Sequence, residues 1–504
     1  MLYEQLQYTV RFGGEMTECF RALMGILIGD PASPILWILF LSDFDLLPHP
    51  HDVLLNGRRI SHLELADDMA LISLSASGMQ EKLDAFERYC AANSLLINIP
   101  KTLSSIHGPL PDPLPSLTLQ GRLLMYTAQV KYVGTSLTST ERDIFVPHYA
   151  AKKDAAIKAA NACMSLASYV GPLPPSIALT LYRARVEPHL TSGCEVVLDV
   201  RPAGLASLVD VQTTYLRRAL HVSPRSQLAP LFTDTGVWPL AYRRFSLALR
   251  YLRYILVDKP ALVLDSFIAL WQLTTLHGAP TWWSDLRNAG AALPAPVDVD
   301  LARFPTVEDV TRLLRAVEHA LATHLRDAIM ASRRLPLLQH RLRRILVDSE
   351  PGLPSLEALC TSQAYLSLPT HRLRQAITLL RLSEHPLAVE RLRRATPPVP
   401  RELRLCRFCR QPWAVEDEVH VLLECSVPEL MHRREALLAT AERHHRSIRR
   451  LQVALSSAAF LDLLLSTEVL LQPFAGYVAE VFELCGTLPP LLPPDAAPAA
   501  GALP

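Results

Sequence analysis

The chain has 504 residues, a formal net charge of +1, 50% hydrophobic residues and only 7% aromatics. So apolar a composition excludes global disorder, and a core built from aliphatic rather than aromatic side chains favours packed helices over an all-β body. The greasiest stretches, residues 35–41 and 453–474, are respectively too short for a bilayer and interrupted by Asp462 and Glu468, which excludes a conventional membrane protein.

Nine cysteines, an odd number without regular spacing, and no visible secretory signal predict a reduced intracellular protein, nuclear or cytoplasmic and not secreted. Charge is unevenly spread. Residues 331–450 hold 21 Arg, no Lys and 13 acidic residues, a surplus of +8, while the remainder carries −7.

In chain order, the first hundred residues mix strand and helix signals. Residues 53–55, Asn56-Gly57 and residues 58–65 read as a hairpin, because Asn-Gly supplies the two positive φ angles of a type I′ turn. A tighter reversal at Ala66-Asp67-Asp68 leads to a strand over 69–73. Ser77 is a candidate N-cap for a helix that places Met79, Leu83, Phe86 and Cys90 on one face and ends near Asn93. Residues 95–98 read as a short strand, four prolines between 109 and 115 as a linker, and 129–134 as another strand. Beyond Pro147 the signals are helical. Gly171 and Pro188 are predicted to stop helices over 146–170 and 175–187, and a Gly/Pro/Trp-rich stretch over 278–296 interrupts the series.

Two adjacent carboxylates at a turn, Asp67 and Asp68, repel one another and are relieved by a hard divalent cation such as Mg²⁺. Asp is also an ordinary turn former, so the pair alone is a weak signal. Context strengthens it. Leu65-Ala66-Asp67-Asp68 resembles the aromatic-Ala-Asp-Asp box of reverse transcriptases, in particular those of non-LTR, LINE-type retrotransposons. Upstream, the run from Gly25 through Ile28, Gly29, Asp30, Pro31 and Ser33 to Pro34 is similar to that family's Gly-x-x-Gln-Gly-Asp-Pro-x-Ser-Pro segment. Downstream, Asn98-Ile99-Pro100-Lys101-Thr102 resembles its Asn-x-x-Lys-Thr element, and Lys131-Tyr132-Val133-Gly134 its Lys-Tyr-Leu-Gly strand. Leu181-Tyr182-Arg183-Ala184 and Val186-Glu187-Pro188 are similar to its thumb helices. The resemblance extends over residues 1 to about 255.

The resemblance implies a palm in which an upstream aspartate joins Asp67 and Asp68 around two Mg²⁺ ions that activate a primer hydroxyl and stabilise pyrophosphate. It assigns template and nucleotide positioning to Gly29, Asp30, Pro31, Ser33 and Lys101. Read without the family, residues 29–34 are a turn leading into a helix capped by Ser33. Three departures predict inactivity. No aspartate precedes Gly25, so the first catalytic carboxylate and the fingers are expected to be missing. Leu65 replaces the aromatic residue, and Ile28 stands where the family has Gln.

A second constellation, Cys406-x2-Cys409-x10-His420-x4-Cys425, offers four N/S ligands within twenty residues, the donor set of a structural Zn²⁺. The acids Glu416, Asp417 and Glu418 are expected to precede a helix N-terminus carrying His420. The same order occurs near the C-terminus of LINE-type proteins. Cys19, Cys90, Cys163, Cys194, Cys360 and Cys485 read as core residues, and His444-His445 as solvated. Pro428-Glu429 lacks the following acid and Lys of a restriction-like nuclease.

The expected fold is α+β: an incomplete reverse-transcriptase palm followed by a large helical body with a small zinc knuckle. The predicted segments are 1–107 (truncated palm), 108–145 (linker and palm-end strand), 146–275 (thumb-like helices) and 276–400 (helices, Arg-rich late). They continue as 401–430 (knuckle), 431–487 (helices) and 488–504 (a disordered Pro/Ala tail). The expected partner is RNA or single-stranded DNA, held by Arg341 with Arg344 and by Arg391 with Arg393 and Arg394, pairs that helical spacing brings together. Solvated amphipathic faces are the alternative. Zn²⁺ is the expected structural cofactor, with Mg²⁺ only where the polymerase site is completed. Either a polymerase remnant, an enzyme completed by a longer chain or a partner, or a binding module fits these motifs.

Overall fold

The computed structural model describes residues 7–21, 26–27, 29–139, 143–347 and 355–492; Gly25, Ile28 and most of the Pro/Ala tail lie outside them. The chain divides into two compact units, Met1–Pro147 with Ala261–Ala269, and His148–Pro260 with Leu270–Pro504.

In the first unit the described strands form separate two-stranded ladders. Val53–Leu55 pairs with Arg58–Ile60 across Asn56-Gly57, both at positive φ, as the turn chemistry requires. The expected strand over 58–65 breaks at Ser61. His62–Leu65 then forms a second hairpin with Asp68–Leu71. The helix Ala76–Ala92 starts earlier than predicted: Ser75, not Ser77, is the cap, its hydroxyl accepting the Gly78 amide at 3.1 Å. The predicted apolar face is its inner face, and Leu83 joins a core with Leu119 and Leu124, flanked by Leu71, Met79 and Ile99. On the same helix Lys82 is buried against Asp52 at 2.6 Å.

No strand forms over 95–98. Residues 99–101 make a 3₁₀ turn there, and the chain becomes extended only at Leu103–Ser104. The strand predicted over 129–134 ends at Tyr132, because Val133 and Gly134 at positive φ turn the chain back into Thr135–Thr138.

The second unit is helical. Val307–Ala331 packs along Leu240–Asp258, and Glu468–Thr487 packs against His371–Arg381, Pro428–His444 and Ser457–Ser466. Pro188 does not stop its helix. A π turn over Tyr182–Val186 feeds Glu187–Thr191, with the Glu187 amide bonding Tyr182 O, and Pro188 sits in the first turn of that segment, where no amide donor is needed.

Burial inside this unit is braced by ion pairs. Asp234, fully buried, accepts two bonds from Arg381 at 2.6 and 2.8 Å and one from the Tyr365 hydroxyl at 3.0 Å. Arg381 and Arg341 hold its carboxyl below the ordinary range although burial alone would raise it. Among the described residues no single helix is long and apolar enough to cross a membrane; Ser457–Ser466 and Glu468–Thr487 qualify only jointly and are bent by 112°. Cys90, Cys163, Cys194, Cys360 and Cys485 are buried as expected, but Cys19 is exposed, beside a β-bridge between Tyr8 and Phe20.

Candidate functional site

The cysteine-histidine island closes on itself. Leu405 and Val415 form a β-bridge, the Cys406 amide bonds Ala414 O at 2.8 Å, and Arg410, at φ +53°, returns its amide to Cys406 O at 2.9 Å. This tight turn points Cys406 and Cys409 the same way. The other two ligands are five residues apart, which on an α-helix would set them about 140° apart. Residues 420–424 instead make a π turn closed by Cys425 N to His420 O at 2.7 Å, which brings both side chains to one side.

The result is the one group of three or more metal-ligating side chains among the described residues: the donor atoms of Cys406, Cys409, His420 and Cys425 lie within 4.8 Å of one another. The Cys406 and Cys425 sulfurs are 4.0 Å apart, and Cys409 Sγ is 3.4 Å from His420 Nε2. Tetrahedral bonds of about 2.3 Å to sulfur and 2.0 Å to nitrogen imply edges of roughly 3.5 to 3.8 Å, so the cage fits a structural metal with no ligand position left open. Hydrogen bonding from the Cys406 thiol pulls Cys425 below the ordinary thiol range and pushes Cys406 up, and the neighbouring Cys425 raises His420. The shift at Cys425 is toward the thiolate, the form that binds metal.

Neighbouring groups hold the cage. Asp417 Oδ1 accepts the His420 amide at 3.0 Å. The carbonyls freed by the π turn are satisfied by Arg434, which donates to Leu422 O and Cys425 O, and by the Tyr477 hydroxyl on Leu422 O. The other two acids depart from expectation. Residues 415–417 are extended rather than helical, so alternate side chains turn inward, and the helical turn starts only at Glu418. Glu416 is fully buried against Arg407 at 2.6 Å. Arg407 also donates to Cys485 O, Leu488 O and Pro386 O, tying the island to the C-terminal helix. Glu418 meets buried His385 at 2.8 Å. Burial alternates over 414–418, with Ala414, Glu416 and Glu418 buried between half-buried Val415 and Asp417, but the three consecutive acids gave no sequence signal of this inward pattern.

The aspartate turn is built differently. Leu65 pairs with Asp68, so Ala66, at φ +53°, and Asp67 form the reversal, and both aspartates are exposed. Trp37 Nε1 donates to Ala66 O at 2.8 Å, joining the turn to the helix Ser33–Leu41. That helix follows Gly29, Asp30 and Pro31. Asp30 Oδ1 accepts the Ala32 amide at 3.0 Å. Ser33 is not a cap; it is buried and its hydroxyl donates to Leu27 O at 2.6 Å. Lys101 is exposed at the end of its 3₁₀ turn. Tyr132 approaches the hairpin through its hydroxyl on Leu63 O at 3.4 Å. Among the described residues no third carboxylate joins Asp67 and Asp68 in a metal-ligating group.

Of the predicted arginines only Arg341 is withdrawn from the surface; Arg344, Arg391, Arg393 and Arg394 remain at least partly exposed. Arg341 is buried, donates to Ala358 O at 3.0 Å and lies 3.9 Å from Asp234; burial lowers it to about 10. It is unavailable to a polyanion. Arg344 bonds Asp462 at 2.6 Å. Arg393 pairs with Glu390 and Arg394 with Glu384, while Arg391 is exposed without an ion-pair partner among the described residues.

Against known proteins, a stretch of 222 residues, 43% of this chain, is 24% identical to the RNA-directed DNA polymerase from mobile element jockey of Drosophila melanogaster. The similarity supports a reverse-transcriptase relationship. The matched stretch spans 24% of that relative's length. No family model matches the chain.

Proposed function

We propose that the chain is a reverse-transcriptase-derived protein of the non-LTR type, in which the first unit is a palm with an incomplete polymerase site and the second is a zinc-stabilised nucleic-acid-binding body. The observation that carries this reading is the contrast between the two constellations. The four donors at Cys406, Cys409, His420 and Cys425 are gathered in one cage, whereas Asp67 and Asp68 stand as two exposed carboxylates.

Two-metal phosphoryl transfer needs carboxylates that bridge both ions. Asp67 and Asp68 supply one edge of such a site, and Asp30, Pro31 and Ser33 would position template and nucleotide next to it. With two carboxylates, Mg²⁺ is held weakly and primer activation is lost. Zn²⁺ at the island would have a folding role, since four protein ligands leave no position for water.

Primer extension by the purified chain on a template with Mg²⁺ or Mn²⁺ tests the polymerase reading. Incorporation at background is expected; extension that disappears in Asp67→Ala contradicts it.

One observation favours a second reading, an enzyme completed by another polypeptide. The helix carrying Trp37 exposes Ile35 (62%), Ile38 (66%) and Leu39 (63%), and Leu65 at the turn is 50% exposed. A surface of that kind is suited to a covering chain. Extension that appears only when a fragment supplying an aspartate-bearing strand is added would select this reading.

A further inference from the structure

A groove of about 560 Å³ in the second unit is lined by Ser223, Arg225, Arg334, Arg393, Arg394 and Pro398. Its residues come from three separated segments, so no local run of sequence announces it. Three of its arginines are cross-braced by two glutamates. Arg393 bonds Glu390 at 2.9 Å, Arg334 bonds Glu390 at 3.1 Å and Glu384 at 3.4 Å, and Arg394 bonds Glu384 at 2.6 Å. The two carboxylates are almost completely covered, at 3% and 5% side-chain exposure, while Arg393 and Arg394 retain 32% and 42%. Positive charge therefore faces the groove and negative charge lies beneath it.

Two details point to an unfilled demand for acceptors. Arg225 is exposed and its guanidinium has no partner among the described residues. The turn that presents it is fixed by Arg217, which bonds both Ser226 Oγ and Ser226 O at 3.2 Å. Arg334 Nε is buried without a hydrogen-bond partner. Four guanidiniums over two carboxylates leave a surplus of two positive charges. Planar donor forks fixed in advance match phosphate oxygens and spend little entropy on binding.

We propose that this groove binds consecutive phosphates of a phosphate chain, with Arg225, Arg393 and Arg394 as the contacting residues and Arg334 as the residue that positions them. The chain's source is a nucleic-acid backbone or a free polyphosphate, and the first of these rests on the nucleic-acid-binding reading above.

The test uses the full chain. Fluorescence anisotropy follows a labelled dT12 strand over a salt series, with inorganic tripolyphosphate as competitor. Arg225 lies outside the glutamate ladder, so Arg225→Glu keeps the braces; Arg253→Glu, at an exposed site on the helix Leu240–Asp258, is the charge-matched control. Arg225→Glu is expected to weaken dT12 about tenfold, and Arg225→Ala to flatten the log-log salt slope by about 0.7, the loss of one single-strand phosphate contact. Arg253→Glu should change neither. Tripolyphosphate bound directly, with the same loss in Arg225→Glu but no dT12 binding, would support the groove while removing the nucleic-acid reading. Binding of dT12 that is equally affected by Arg225→Glu and Arg253→Glu, or by neither, overturns the groove and leaves that reading standing. Failure to bind either anion overturns both.

Discussion

The cysteine-histidine island and the aspartate turn enter the sequence as four donors at metal spacing and as a two-residue turn that gains weight only from its context, and they end as different objects. At the island, ligands spread over twenty residues are gathered by a tight turn and a π turn. They are then locked by Arg434, Tyr477 and the buried Arg407–Glu416 pair. At the turn, two carboxylates share an exposed hairpin tip held by the Trp37 indole. The difference lies in where each site's parts come from. A knuckle is closed by local chain geometry, so its spacing is nearly its structure. Under the polymerase reading proposed above, the turn would be one share of a site assembled from distant strands, and a two-residue motif carries no more than that share.

The comparison breaks most visibly at the island. Cys409→Ser removes one ligand from a site whose metal, in isolated zinc-finger peptides, contributes on the order of 10 kcal/mol. Hydrogen exchange should show residues 401–430 losing protection while the hairpins over 53–71 keep theirs. Loss of protection at both would mean that the two regions do not behave independently.

Next in size is Asp234→Asn, which leaves Arg381 and Arg341 buried without their counter-charge and should cost about 3–5 kcal/mol in denaturant unfolding. Its pH dependence sharpens the point. Because the folded carboxyl lies below the ordinary 3.8, its stabilisation is present above that value and is lost as pH falls through the lowered one. Wild type and variant should therefore differ at neutral pH and converge in acid. A gap that stays constant down to the lowest pH would show that Asp234 contributes shape rather than charge.

Glu416→Gln should come next, at about 3 kcal/mol, since the amide oxygen still accepts but its NH2 faces donors of Arg407 or Ala388 and the buried Arg407 charge loses its partner. Thermal unfolding measures it, and zinc content should be retained. The smallest effect belongs to the turn. Trp37→Phe deletes a single exposed hydrogen bond and should cost about 1 kcal/mol, read as faster amide exchange at 62–71 with no change over 401–430.

Local chemistry was legible in the sequence. The Asn56-Gly57 hairpin, the buried face of Met79, Leu83, Phe86 and Cys90, and the four donors of the island all follow from turn preference, helical period and ligand spacing. What was not legible depended on distant partners. Glu416 and Glu418 looked like acids at a helix start because nothing nearby announces Arg407 or His385 as their partners. Arg341 looked like a surface cation until Asp234, more than a hundred residues earlier, drew it inward. Pro188 read as a stop because periodicity does not reveal that a π turn will carry the chain past it. The groove of Arg225, Arg334, Arg393 and Arg394 joins segments that no window of sequence places together.

The most direct measurement is elemental analysis of the purified full chain beside Cys409→Ser and the double variant Asp67→Ala/Asp68→Ala. The account predicts one zinc per chain in wild type, well under half in Cys409→Ser, and one in the aspartate variant. A folded wild-type chain without zinc, or zinc lost with the aspartates and kept in Cys409→Ser, would contradict it.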